Sequence, residues 1–195
     1  MMKKLIRLMS VLTVATLAAC SSLAPQQPSQ GTGVNAQNAI QRTGKFALLV
    51  FDKTQDKNTD SVQGNFLWNG VGENVVLDLS SPLGQTLARV EVLPGYSKLT
   101  RSSGEVFEAP NPDALVAQVI GQEIPVSGLR YWIKGQKIPN QPLIEESHDN
   151  AGKLTSFKQA GWDVTMSDYD SIGPTKFNLI RNQTTERIKI RLIVQ

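Results

Sequence analysis

Histidine and cysteine occur once each in this 195-residue chain, as His148 and Cys20. One histidine excludes metal sites built on clustered imidazoles, and it leaves no serine–histidine pair poised for nucleophilic attack. His148 itself lies in the turn-like stretch "ESHDNAGK", where solvation alone accounts for it. No G-x-x-x-x-G-K-[ST] pattern occurs, which argues against work driven by nucleotides. Glu145 and Glu146 are neighbours in a strand-like stretch and so project to opposite faces, a poor general acid/base couple. Catalysis has nothing to rest on. The chain does not read as an enzyme, and no cofactor or metal is expected.

A charge excess of one sign is missing as well. The formal net charge is +3, but residues 1–19 hold Lys3, Lys4 and Arg7 and no acid. Removing these three from the 20 basic residues leaves 17, against 17 acidic ones. Without a basic patch, nucleic acid and strongly anionic membrane surfaces are poor partners.

The apolar run at the start is too short to span a bilayer, which takes ~20 residues. "MMKKLIRLMSVLTVATLAAC" combines a basic start, an apolar stretch from Leu8 to Ala19 and a small-residue exit. That is the pattern of a secretory signal peptide over residues 1–19. Its end, Leu17-Ala18-Ala19-Cys20, resembles the bacterial lipobox, which implies lipidation of Cys20 and cleavage before it. Ser21 and Ser22 after the cysteine imply sorting to the outer membrane by the same resemblance. Residues 21–38, "SSLAPQQPSQGTGVNAQN", are polar and rich in Pro, Gln, Ser and Gly, the composition of a disordered tether. Eighteen such residues reach ~20–25 Å, holding a body of residues 39–195 close to the periplasmic face of the membrane.

In that body, period-2 alternation dominates. "KFALLVF" (45–51) is a nearly continuous apolar run, and the alternation recurs in "VQGNFLW" (62–68), "NVVLDL" (74–79), "LARVEVL" (87–93), "WDVTM" (162–166) and "RIKIRLIV" (187–194). Turn signals separate the runs: Asn69-Gly70, Pro94-Gly95, Ser103-Gly104, Asn150-Ala151-Gly152, Ala160-Gly161 and Asn182-Gln183. The expectation is a mainly β (α+β) domain, an antiparallel meander of about ten or eleven strands curled into a half-open barrel. Only the middle departs. "NPDALVAQVIG" (111–121) predicts a helix with Asn111 as N-cap, Pro112 at the first position and Gly121 at the C-cap. A second short helix is expected within "PVSGLRYWIKG" (125–135). Both helices are expected to cover the open side of the sheet around an apolar cavity.

Between two of the strands, "SSPLGQTL" (80–87) sets a leucine, Leu83, at the tip of a turn bracketed by Pro82 and Gly84. Hairpins usually carry Asn, Asp or Ser there. A leucine left exposed forgoes roughly 1.5–3 kcal/mol of burial, which points either to a fold back onto the core or to a lipid or protein partner.

Three features together resemble the outer-membrane lipoprotein receptor family LolB: the lipobox at Cys20, the strand–"SPLG"–strand unit over roughly 66–92, and "IPVSGLRYWIKG" (124–135). The last satisfies the family pattern I-P-x-x-x-L-R-x-W-I-x-G at Ile124, Pro125, Leu129, Arg130, Trp132, Ile133 and Gly135. The resemblance implies an incomplete barrel that takes lipidated proteins from a soluble periplasmic carrier of the LolA type and places them in the outer membrane. It also implies that Leu83 engages membrane lipid during release. Phe66, Trp68, Leu77, Leu79, Val90, Leu129, Trp132 and Ile133 are the candidate cavity wall for acyl chains, with Trp68 and Trp132 foremost. Core packing is the competing role for each of them. Arg130 either bonds helix or sheet carbonyls, closing the lid, or is solvated beside the tryptophan. The partners expected are the carrier, the lipidated cargo and outer-membrane lipid, with the receptor a monomer. The alternatives are a structural or assembly lipoprotein that binds another outer-membrane protein and, more distantly, a lipid-binding hydrolase.

Overall fold

The computed structural model describes residues 39–195. Cys20, the signal segment and the tether expected over 21–38 lie outside the described residues. Among the described residues, eleven strands and two helices follow one another along the chain. Six strands come first: β1 (Ala39–Asp52), β2 (Lys57–Val71), β3 (Asn74–Ser80), β4 (Thr86–Leu93), β5 (Tyr96–Arg101) and β6 (Val106–Ala109). The helices α1 (Pro112–Ile120) and α2 (Val126–Trp132) come next. Five strands complete the chain: β7 (Ile144–His148), β8 (Leu154–Gln159), β9 (Trp162–Tyr169), β10 (Pro174–Asn182) and β11 (Glu186–Val194).

All eleven strands form one antiparallel sheet in the order β6-β5-β4-β3-β2-β1-β11-β10-β9-β8-β7. The last strand pairs with the first, and the sheet stays open between β6 and β7. Those two edges are consecutive strands along the chain, and the helices are what the chain inserts between them. α1 packs on β5, β6 and α2, so the helical insertion covers the open side of an incomplete barrel.

The pleat explains the interior. In β11, Ile188, Ile190, Leu192 and Val194 are buried, and Lys189 and Arg191 point the other way. Across the joint, Phe46 faces Leu192, Leu48 faces Ile190 and Val50 faces Ile188. The sheet coils tightly at two glycines. A Cβ at Gly44 would stand 2.1 Å from the carbonyl oxygen of Ile193, and one at Gly64 2.0 Å from that of Ser80. Only a residue without a side chain lets the backbones come so close.

Several local expectations need correction. Asn69-Gly70 is no turn: β2 runs through it to Val71, and the hairpin tip is Gly72-Glu73, with Gly72 at φ +59°. Pairing on both sides holds Asn69 in the strand, and its Oδ1 accepts from Gln41 Nε2 at 2.9 Å. His148 ends β7 opposite Leu154 rather than sitting in the turn. Strict alternation also fails at Glu145 and Glu146. Glu145 has φ +55°, the β7–β8 register shifts there, and both side chains are exposed.

The first helix follows its sequence signals. Asn111 has extended backbone and its Oδ1 accepts from Ala114 N at 2.8 Å, a cap worth about 1 kcal/mol. Gly121, at φ +77°, closes the other end by donating to the Ala117 carbonyl. α2 has no cap of its own, and α1 supplies one. Asp113 accepts from the backbone N–H of Ser127 at 2.8 Å and from its hydroxyl at 2.5 Å, joining the helices into one unit.

Candidate functional site

Between the helices and the β1–β5 and β11 part of the sheet lies a cavity of ≈ 130 Å³. Every residue lining it is apolar. Phe66, Trp68, Leu77, Leu79, Val90, Leu129 and Ile133 all belong to the wall. Sequence reasoning missed Phe46 and Leu48 on β1, Leu99 on β5, and Ile190 and Leu192 on β11. It also missed Val116, Ile120, Ile124 and Val126 from the helical segment. The signal for Phe46 and Leu48 lay in "KFALLVF", where they share a face; the pairing with β11 then brings Ile190 and Leu192 beside them. Val116 and Ile120 stand at the i, i+4 spacing that places two residues on one side of a helix.

Trp132 is not part of this wall. It is 0% exposed and turned to the β8 side of the interior, where its ring meets Phe157 edge-on at 5.8 Å between centroids. Its Nε1 donates to Gln159 Oε1 at 3.0 Å. That buried amide is fully occupied: Oε1 also accepts from Ile138 N, and Nε2 donates to the carbonyls of Ile138 and Gln141. A buried indole N–H needs an acceptor, and the acceptor on β8 fixes which way the ring points.

Such a cavity has little chemistry beyond apolar contact. No donor, acceptor or titratable group faces it, so it attracts hydrocarbon non-directionally and offers water nothing. Its size is also restrictive. An apolar cavity of ~150 Å³ takes a molecule such as benzene, so a whole acyl chain exceeds the space present under the helical lid. Arg130 belongs to the fastening of that lid. Its Nη1 donates to the Glu73 carbonyl in the β2–β3 hairpin at 3.1 Å. On the other side, Arg181 pairs with Glu123, and Gln122 donates to Glu186, tying the α1–α2 connection to β10 and β11.

Leu83 lies in the β3–β4 loop, away from the cavity wall, and is 92% exposed. The loop is stiff. Gly84 N donates to the Ser81 carbonyl at 2.9 Å, Ser81 N to the Gln85 carbonyl at 2.8 Å, and Gly84 holds φ +86°. Pro82 and Leu83 are the two central residues of that turn.

A buried charge that the sequence did not flag lies at the seam. Arg42, 2% exposed, donates through Nη1 to both carboxylate oxygens of Asp170 at 2.8 and 2.7 Å and through Nη2 to the Pro174 carbonyl. The Arg42 guanidinium, helped by the backbone N–H groups of Gly173 and Ile172, pulls the Asp170 carboxyl down to about 2.

With this geometry in place, comparison with known proteins gives a consistent answer. The family model described as "Outer membrane lipoprotein LolB" matches residues 38–195. The outer-membrane lipoprotein LolB of Bordetella petrii is 41% identical over 180 residues, covering 92% of this chain and 87% of that protein. That of Bordetella pertussis is 38% identical over 183 residues, covering 94% and 88%. A third, from Cupriavidus pinatubonensis, is 38% identical over 188 residues, covering 91% and 87%.

Proposed function

This chain belongs to the LolB family of outer-membrane lipoproteins, and from that premise we propose how it works as a lipoprotein receptor of the outer membrane. It accepts lipidated proteins from a periplasmic carrier of the LolA type and inserts them into the outer membrane, acting by binding rather than by catalysis. The observation that carries the mechanism is the wholly apolar cavity under the helices of an unclosed sheet.

An acyl chain exposed to water costs ~0.8 kcal/mol per methylene, tens of kcal/mol for a multiply acylated cysteine. Release into solvent is therefore closed as a route, and the chains pass directly from one apolar site to the next. With no nucleotide to drive it, the transfer runs downhill: the cavity binds better than the carrier, and the bilayer better than the cavity. Phe66, Trp68, Leu77, Leu79, Val90, Leu129 and Ile133 contact the chains once α1 and α2 swing out. Trp132 acts behind them, holding α2 on β8. That one copy supplies the whole wall supports a receptor that works as a monomer. Cys20 is the lipid anchor, and Leu83, held by Pro82 and Gly84, enters the lipid interface when cargo is released.

The test is reconstitution. Carrier loaded with a lipoprotein is mixed with this protein, and then with liposomes. Cargo should move to the receptor and from there to the vesicles without added nucleotide. Cargo that stays on the carrier at equilibrium, with receptor in excess, overturns the reading.

A further inference from the structure

Next to the apolar cavity, and sharing Trp68 and Ile133 with it, is a second recess of ≈ 460 Å³ at the start of β1. Arg130, near the end of α2, and Lys134, in the turn that follows it, stand on its rim with Gly70, Gly72 and Gln136. Two observations separate its chemistry from that of the cavity.

The first is that the cations lack anions. Among the described residues neither Arg130 nor Lys134 takes part in an ion pair. Residues 1–38 contain no Asp or Glu, so the remainder of the chain has no carboxylate to offer. Among the described residues, the one side-chain hydrogen bond of Arg130 goes to a neutral carbonyl, that of Glu73. Burial, with the Arg130 charge adding to it, pushes the Lys134 ammonium down. Each cation lies 5.6 Å from the centre of the Tyr131 ring, which carries no formal charge. The two like charges therefore still repel each other beside a low-dielectric wall, and an anion placed between them removes that cost.

The second is that Trp68 faces both spaces. Trp68 lines the cavity and the recess alike, and its Nε1 lies near Gly70, which lines the recess alone. A Cβ at Gly70 would stand 3.0 Å from that nitrogen, so glycine keeps the approach to the indole N–H open. Unlike the Trp132 indole, which donates to Gln159, this N–H has no acceptor among the described residues. A donor at the boundary between a greasy wall and a cationic recess suits a ligand that changes from hydrocarbon to acceptor at that point.

We propose that this recess binds the phosphate head of an anionic acyl lipid whose chain enters the adjoining cavity, with Arg130, Lys134 and the Trp68 N–H as its donors. The inference rests on the reading of the cavity as an acyl site. It adds a second class of ligand, because the lipid on a lipoprotein is joined through neutral esters and an amide and brings no anion. A receptor at a bilayer surface that gives up its cargo is left with an empty apolar cavity. A membrane phospholipid with its head at Arg130 and Lys134 fills it, so delivery is an exchange of cargo for lipid.

Three probes test this on the full mature chain: 1-palmitoyl lysophosphatidate, monopalmitoyl glycerol with the same chain and no charge, and inorganic phosphate. Lysophosphatidate should bind at least about tenfold more tightly than the glycerol ester at low salt. That margin should shrink in about 0.5 M salt, because the recess is open to solvent. Inorganic phosphate alone should not displace either lipid. Lys134→Gln should reduce the margin and Arg130→Gln/Lys134→Gln bring it below about twofold. Because Arg130 also fastens the β2–β3 hairpin, Lys134→Glu, which leaves that bond intact, carries the test if the double variant unfolds. Equal affinity for the two lipids, a margin that survives these substitutions, or displacement by inorganic phosphate alone overturns the head site and leaves the acyl cavity standing. Failure of monopalmitoyl glycerol to bind the wild-type chain overturns the cavity reading, and this inference with it.

Discussion

On the β7–β10 side of the interior, Trp132, Phe157, Trp162, Met166 and Leu179 are all nearly inaccessible, and the Trp132 and Phe157 rings meet edge-on. Val164 pairs with Leu179, and Met166 with Phe177, across β9 and β10. On the β1–β5 side the same kinds of residue line an opening of ≈ 130 Å³. The same pleat and composition have two outcomes because large aromatics from α2 and β8 fill one side, while on the other the helices offer only Val, Leu and Ile. At roughly 24 cal/mol per Å³, the unfilled side forgoes about 3 kcal/mol of packing. That free energy is available to whatever fills it. One side of the barrel holds the fold together, and the other, on the function proposed above, is held open for cargo.

The comparison breaks most directly with one substitution made twice. Leu179→Ala on the solid side should cost about 3–5 kcal/mol, because its neighbours cannot close a new void. Leu79→Ala on the cavity wall should cost about 1–2 kcal/mol, since that leucine already lacks partners on one face. Urea unfolding of the two variants measures the difference. Acyl capture should fall in the order opposite to stability, with Leu79→Ala affected more per kcal/mol lost. Equal costs would mean the two sides are packed alike.

Filling the open side sharpens the same contrast. Val116→Phe places a ring from α1 into the cavity and should raise stability by about 1 kcal/mol. Acceptance of lipoprotein from the carrier should fall as the ring takes the place of cargo. A stabilised Val116→Phe that accepts cargo at the wild-type rate would detach the cavity from function.

The seam between the sides responds to acid. The Asp170 carboxyl sits at about 2 in the folded protein, below the ordinary 3.8. Folding therefore gains from its ionisation above about pH 4, and that gain is lost as pH falls through about 2. Asp170 is 43% exposed, so solvent screening limits the loss to about 1 kcal/mol. In urea titrations Asp170→Asn should flatten the pH dependence in that window. An unchanged slope would assign it to other carboxylates.

How much of this was legible in the sequence follows from the range of each interaction. Asn111, Pro112 and Gly121 act within a few residues, and they stand where local chemistry put them. The meander and its open side follow from alternation plus a helical interruption. Register is less local: Asn69-Gly70 has the form of a turn, and only pairing with β1 and β3 keeps it in a strand. Arg42 was illegible because its partner Asp170 lies 128 residues away. Trp132 shows the finest limit. Its place on an apolar helix face was readable, but which interior side it faces depends on Gln159, a polar residue on a distant strand.

The smallest effect on stability should come from a residue that belongs to neither side of the interior. Leu83 stands in solvent on a turn fixed by two backbone hydrogen bonds, neither of which involves its side chain. Leu83→Glu should therefore change unfolding free energy by no more than about 0.5 kcal/mol and leave acceptance of cargo intact. Delivery is another matter. A leucine entering the interface gains roughly 1.5–3 kcal/mol, enough to orient the body or disturb the lipid locally and far too little to anchor it. A carboxylate at the same tip pays desolvation instead, so transfer from the receptor to liposomes should drop at least tenfold while loading from the carrier continues. Leu83→Ile keeps the apolar tip and should keep most of the transfer. If Leu83→Glu loads and delivers normally, the exposed leucine plays no part in release, and the cavity alone must account for it.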